Sequence, residues 1–146
     1  MQLRFVVKNS ELFFDDIFKV KNVDPDGKKF DKVSRIVAWS ERCDMFMLLD
    51  VNTEIYPFNK DEKFLMALSP SLNLNTQDGL VSIQDKFEYI MCGRLYKIAD
   101  GGSSNPGLKV DIYASFGGLQ MMLKGDASHC VKFGLDRNLL LLIRKL

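Results

Sequence analysis

Apolar side chains recur at every second position along much of this chain. Met45, Met47, Leu49, Val51, Thr53 and Ile55 alternate with Phe46, Leu48, Asp50, Asn52 and Glu54. One face is nearly all apolar and the other turns polar, as in a half-buried β-strand that Pro57 ends or marks as an edge. Phe64, Met66 and Leu68 repeat the pattern before Pro70. Phe87, Tyr89 and Met91 repeat it again, and Gly93 predicts a bulge or kink. Val110, Ile112, Ala114 and Phe116 lead into Gly117-Gly118, then Leu119, Met121 and Leu123 follow. The glycine pair reads as a tight turn or a sharp bend in a curled sheet. Leu139 to Ile143 is apolar on both faces, as expected of a fully covered closing strand. From Glu11 to Val20 helical and strand spacings compete, and the turn that follows closely favours a strand.

The breaks carry turn chemistry. In Asp24-Pro25-Asp26-Gly27 the proline presets φ and the glycine takes a left-handed conformation. Asp100 to Gly107 reads as a mobile surface loop, and Asn73 to Gln84 as a second loop. Seven or eight short strands with regular turns predict an all-β barrel or sandwich. Glycines inside strands favour the barrel, which removes sticky sheet edges.

Composition narrows function more than fold. The 146 residues suit one domain, and 47% hydrophobic with 27% charged residues is ordinary for a soluble globular protein. Twenty Lys and Arg face nineteen Asp and Glu, so the net charge is +1. A dedicated duplex-DNA binder needs a clear basic excess to neutralise phosphates, and this chain lacks one. Cys43, Cys92 and Cys130 form no CxxC pair, so buried thiols are expected, without a zinc site or disulfide framework. The longest apolar run is far below the ~20 residues of a spanning helix, and the start has too short an apolar stretch for a signal peptide. A cytoplasmic or nuclear location is expected, with no membrane partner.

Candidate chemistry is sparse. His129 is the one histidine and adjoins Cys130; neighbours on an extended chain point apart, so the two make a poor base–nucleophile pair. The carboxylate pairs Asp15-Asp16 and Asp61-Glu62 have no matching second group and read as surface charges. Gly117-Gly118 lacks phosphate-loop spacing, and Met121-Met122 reads as core filling. No catalytic residue, cofactor, metal or small-molecule substrate is therefore expected. The segment with Lys28, Lys29, Phe30, Lys32, Arg35, Trp39 and Arg42 joins cations to aromatics, as weak single-strand nucleic-acid sites on small barrels do. The interleaved Asp24, Asp26, Asp31 and Glu41 equally describe an ordinary solvated hairpin.

Four stretches in order carry a resemblance. They are Phe14 to Phe18 with Val23 to Arg35; Leu49 to Pro57; Asp85 to Ile98; and Ser115 to Leu119, running to Leu123 to Asp126, with the ending Leu140 to Leu146. Together they closely resemble the eighth subunit of RNA polymerase II, shared by the eukaryotic nuclear RNA polymerases, with plant-like wording. The resemblance covers residues 13–146. It implies an eight-stranded antiparallel barrel related to the oligonucleotide-binding fold, with residues 1–12 as an extension. It also implies a nuclear and nucleolar location, and a non-catalytic structural role in polymerases I, II and III through docking on their largest subunit. Weak single-stranded DNA binding by the segment matching Asp24 to Leu48 is implied as well. Gln120 and Gly134 depart from the family's usual apolar and acidic residues, and the loop from Thr76 to Gln84 is short for it.

Overall fold

The computed structural model describes residues 12–70, 86–101, 108–135 and 137–146. The period-2 patterns become β1 (Phe14–Val23), β2 (Val33–Ser40), β3 (Phe46–Asn52), β4 (Lys63–Pro70), β5 (Tyr89–Asp100), β6 (Lys109–Phe116), β7 (Leu119–Asp126) and β8 (Asn138–Lys145). All neighbours are antiparallel, and they close a barrel in the order β1-β2-β3-β7-β6-β5-β8-β4. This is the expected eight-stranded barrel, consistent with an architecture related to the oligonucleotide-binding fold. Closure pairs strands on both sides and leaves no long open edge to aggregate.

The interior is built from alternate positions of every strand. Phe18, Ile36, Met47, Leu49, Phe64, Met66, Leu95, Ile112, Met121, Leu123 and Leu141 are all at most 1% exposed and pack in one cluster. Asp24 takes a positive φ of 50°, Gly27 one of 89°, and the Gly27 N–H donates to the Asp24 carbonyl at 2.9 Å, so the expected turn forms. Gly117 and Gly118 are the two residues between the paired Phe116 and Leu119, with φ of 62° and 97°. That is a two-residue hairpin, the tight-turn alternative, whose backbone twist needs positive φ at both positions.

Several expectations need correction. β3 ends at Asn52, so Thr53 and Ile55 do not continue its apolar face, and Ile55 is 68% exposed. The Asn52 carbonyl takes the N–H groups of Ile55 and Tyr56, and its side chain takes that of Glu54. Local capture of three donors ends the ladder five residues before Pro57. The irregularity in β5 falls between Leu95 and Lys97, while pairing with β8 runs unbroken through Gly93 and Leu139. Gly93 is required for a close approach instead. A side-chain carbon there would lie 2.2 Å from the Ser115 carbonyl oxygen. Met122 points outward and is half-buried, so only Met121 of that pair fills the core. Cys92 is exposed, whereas Cys43 and Cys130 are partly buried. Ala127–His129 forms a short 3-10 turn, not extended chain, with His129 exposed. The loop expected over residues 73–84 lies outside the described residues, as do residues 102–107 of the other.

The outside of the barrel has two unlike halves. On β4 and β8 the outward Leu65, Ala67, Leu140 and Leu142 are buried, packed with Leu12 and Phe87. The strand Leu139 to Ile143 is thus covered on both faces, as its composition predicted. On β2, β3, β7 and β6 the outward positions remain accessible, and these lead to the candidate surfaces.

Candidate nucleic-acid interface and the outer face of the barrel

The seven residues picked from sequence do not converge. Lys28, Lys29, Phe30 and Lys32 lie on the β1–β2 connection, Arg35 and Trp39 on the outward face of β2, and Arg42 in the turn beyond it. An extended strand rises about 3.3 Å per residue, so Lys32 and Arg42 sit at opposite ends of β2, on the order of 25 Å apart along it. The segment is compact in sequence but stretched in space.

Most of its cations are already engaged. Arg35 grips Asp50 through two bonds, Nε to Oδ1 at 2.7 Å and Nη2 to Oδ2 at 3.2 Å. Donating to Asp50 raises the Arg35 pKa above its ordinary value. Arg42 reaches the fully buried Asp16 at 3.2 Å and Asp15 at 3.6 Å. Asp16 also accepts the backbone N–H groups of Arg42 and Cys43 at 3.1 and 3.0 Å. It pins the β2–β3 turn onto β1, so Asp15-Asp16 is a structural anchor, correcting the surface-charge reading. Lys32 lies 3.6 Å from Glu54, and Lys28 donates to the Ser34 hydroxyl at 3.0 Å. Phe30 is 67% exposed and lies with Lys29 beside a cleft of about 260 Å³ that Asp24, Asp26, Arg35 and Asp50 also line. Three carboxylates in that lining oppose phosphate binding by simple repulsion.

A second hollow is lined by Cys43 and His129, together with Asp15, Arg42 and Lys132. Burial pushes the Cys43 thiol up to about 11, with Asp16 adding to the shift. The Cys130 thiol rises to about 11 for the same reason, burial first. Nucleophilic cysteines need the opposite shift. Among the described residues no cluster of three metal-binding side chains occurs.

The outer face itself carries no motif in the sequence. Val37, Leu48, Met122, Tyr113 and Lys97 are successive register partners across five strands and form one outward row. Trp39, Phe46, Lys124, Asp111 and Ala99 form the next. The Trp39 and Phe46 rings meet edge to face at 5.0 Å, which accounts for Trp39 being only 39% exposed. Lys97 lies 5.2 Å from the centre of the Tyr113 ring, and Tyr96 donates its hydroxyl to Gln120 at 2.7 Å. The signal available in the sequence was the pair Phe46 and Leu48, apolar on the face that otherwise turns polar. Gln120 bridges where the β3–β7 ladder stops: its N–H donates to Asp50 Oδ2 at 3.0 Å.

The fold agrees with comparison to known proteins. The family model described as RNA polymerase Rpb8 matches residues 15–145. The chain is 49% identical to "DNA-directed RNA polymerases II, IV and V subunit 8B" of Arabidopsis thaliana, covering 92% of this chain and 97% of that relative. It is 41% identical to "DNA-directed RNA polymerases I, II, and III subunit rpabc3" of Dictyostelium discoideum, covering 93% and 99%. With the Saccharomyces cerevisiae protein named for polymerases I, II and III the identity is 34%, covering 80% and 87%. Matched along nearly all of its length by that model and by relatives of this similarity, the chain belongs to the RNA polymerase Rpb8 family of non-catalytic subunits shared by the nuclear RNA polymerases.

Proposed function

We propose that the chain acts in the nucleus, nucleolus included, by binding the largest subunit of DNA-directed RNA polymerases and so helping to hold the transcribing assembly together. The observation that carries this reading is the family match over residues 15–145. A stable attachment needs at least ~1,000 Å² of buried surface. Affinity purification of the tagged chain from nuclear extract, with mass spectrometry, is the test. Recovery of the largest and second-largest polymerase subunits is expected, and their absence would end the reading. The relatives differ in the polymerases for which they are named, II, IV and V in one case and I, II and III in others. The largest subunit recovered therefore also identifies the class, with I, II and III proposed here.

A second reading is weak single-strand nucleic-acid contact through Lys28, Lys29, Phe30, Lys32, Arg35, Trp39 and Arg42. The exposed Phe30 ring beside Lys29 is the feature in its favour. It predicts retention of single-stranded DNA that falls steeply with salt. Salt-independent retention, or none, would remove it.

A further inference from the structure

The outward row Val37–Leu48–Met122–Tyr113 has no cover from the described chain. All four side chains are half-buried, at positions where a solvated antiparallel sheet normally turns polar. Leu48 and Met122, together with Tyr96 and Tyr113, line a hollow of about 280 Å³ on this face. The barrel's other apolar outer face is closed by Leu12 and Phe87, so this protein does cover such surface where it uses its own chain to do so.

The charges around the row have one sign toward solvent. In the Arg35–Asp50 pair the cation side chain is 48% exposed and the carboxylate 13%. In the Lys124–Asp111 pair the figures are 44% and 14%. Arg94 and Lys97, on the β5 border, are exposed too. The carboxylates are the hidden members of both pairs, so an approaching molecule meets an apolar row rimmed by cations.

We propose that this face seats a protein segment of the polymerase in which apolar side chains are flanked by Asp or Glu. The inference rests on the assembly reading above and names the surface and the chemistry of the contact. The apolar side chains would enter between Leu48, Met122 and the two tyrosines, and the carboxylates would meet Arg94 and Lys97. Leu48 and Met122 at the centre of the row are aliphatic and leave a base only the flanking Tyr96 and Tyr113 to stack on, so apolar protein side chains fit the centre better, and the cross-link below separates the two. A second copy fits poorly, because a two-fold contact on this row would set its rim cations against each other.

The test uses the full tagged chain expressed in cells, with the polymerase largest subunit in the purified material measured by mass spectrometry. Met122→Glu should lower its recovery tenfold or more, and Arg94→Glu with Lys97→Glu several-fold, while Lys21→Glu on β1 leaves it unchanged. Thermal melting of each purified variant checks folding. A photo-reactive side chain at Tyr113 provides the independent arm. A cross-link to a polymerase peptide rich in Asp or Glu is expected. Undiminished recovery with Met122→Glu, or a cross-link to nucleic acid or to a second copy, would overturn the surface while leaving the assembly reading intact. Failure of the unaltered chain to bring down any polymerase subunit would overturn the assembly reading itself, and the surface with it.

Discussion

The two apolar outer faces of this barrel are made of similar residues and end in different states. Around β4 and β8, Leu65, Ala67, Leu140 and Leu142 are at most 6% exposed, under Leu12 and Phe87. Around β3 and β7, Leu48, Phe46 and Met122 stay half-exposed. A fully buried Leu contributes roughly 1.5–3 kcal/mol to folding. The first face therefore belongs to the stability of the chain itself, and the second holds apolar surface that no described residue covers. Side-chain type does not separate the two; what the rest of the chain lays over them does.

The largest expected effect attacks that contrast directly. Leu142→Asp places a carboxylate on the self-covered face with no partner and should lose about 4 kcal/mol or more, leaving little folded protein by urea denaturation. Leu48→Glu, an equal insult to the open face, should change stability by less than about 1 kcal/mol. Similar losses at the two sites would dissolve the distinction.

A polar counterpart comes next. Asp16, on β1 beside the self-covered half, is fully buried and holds three backbone N–H groups, those of Ile17, Arg42 and Cys43, and the Arg42 side chain. Asp16→Ala should lose about 3 kcal/mol, since hydrogen bonds to a charged acceptor are worth ~1.5–3 kcal/mol each before relaxation. Asp50→Ala, on the open half, should lose closer to ~1 kcal/mol because its guanidinium partner can return to water. Chemical denaturation of both variants reads the order, and the reverse order would place the stability on the wrong half.

Gly118→Val probes the hairpin at the margin of the open face. Nothing lies within 4 Å of a side-chain carbon there, so crowding plays no part. The φ of 97° remains, and a β-branched residue should lose about 1–2 kcal/mol to it. An unchanged melting temperature would mean the hairpin readily adopts another turn.

The smallest effect is a pH dependence at one end of the self-covered half. The Tyr56 hydroxyl, 2.6 Å from Glu88, holds the Glu88 carboxyl below the usual carboxylate range, and the Lys145 N–H at 2.9 Å adds to this. A depressed carboxyl stabilises the fold above its unfolded pKa and loses that contribution as pH falls through the lower folded value. Glu88→Gln should flatten the acid side of the stability curve slightly. An acid limb of the same slope in both proteins would remove Glu88 from the account.

Fold and site were legible to different degrees. The inward positions of β3, β4, β6 and β7 could be read from period-2 alternation, and the Gly117-Gly118 turn from its chemistry. The proposed nucleic-acid cluster was read as one patch because its residues are close in sequence. An extended strand separates such residues, and the carboxylates that hold Arg35 and Arg42 come from β3 and β1. Phe46 and Leu48 were visible as apolar residues on the polar side of their strand, but the row they begin could not be. Met122 and Tyr113 join it from β7 and β6, roughly 65 to 75 residues later in the chain, through register alone.

The sequence by itself determined the inward positions of β4, β6 and most of β3 and β7, the turns at Gly27 and at Gly117-Gly118, and the absence of any phosphate-loop or metal-ligand motif, because these depend on spacings of a few residues. Tertiary structure alone decided which outer face the chain covers, which cations keep a free charge and which distant side chains share a row. Those outcomes depend on closure and register between strands far apart in the chain, where a shift of one residue would turn every side chain to the other face.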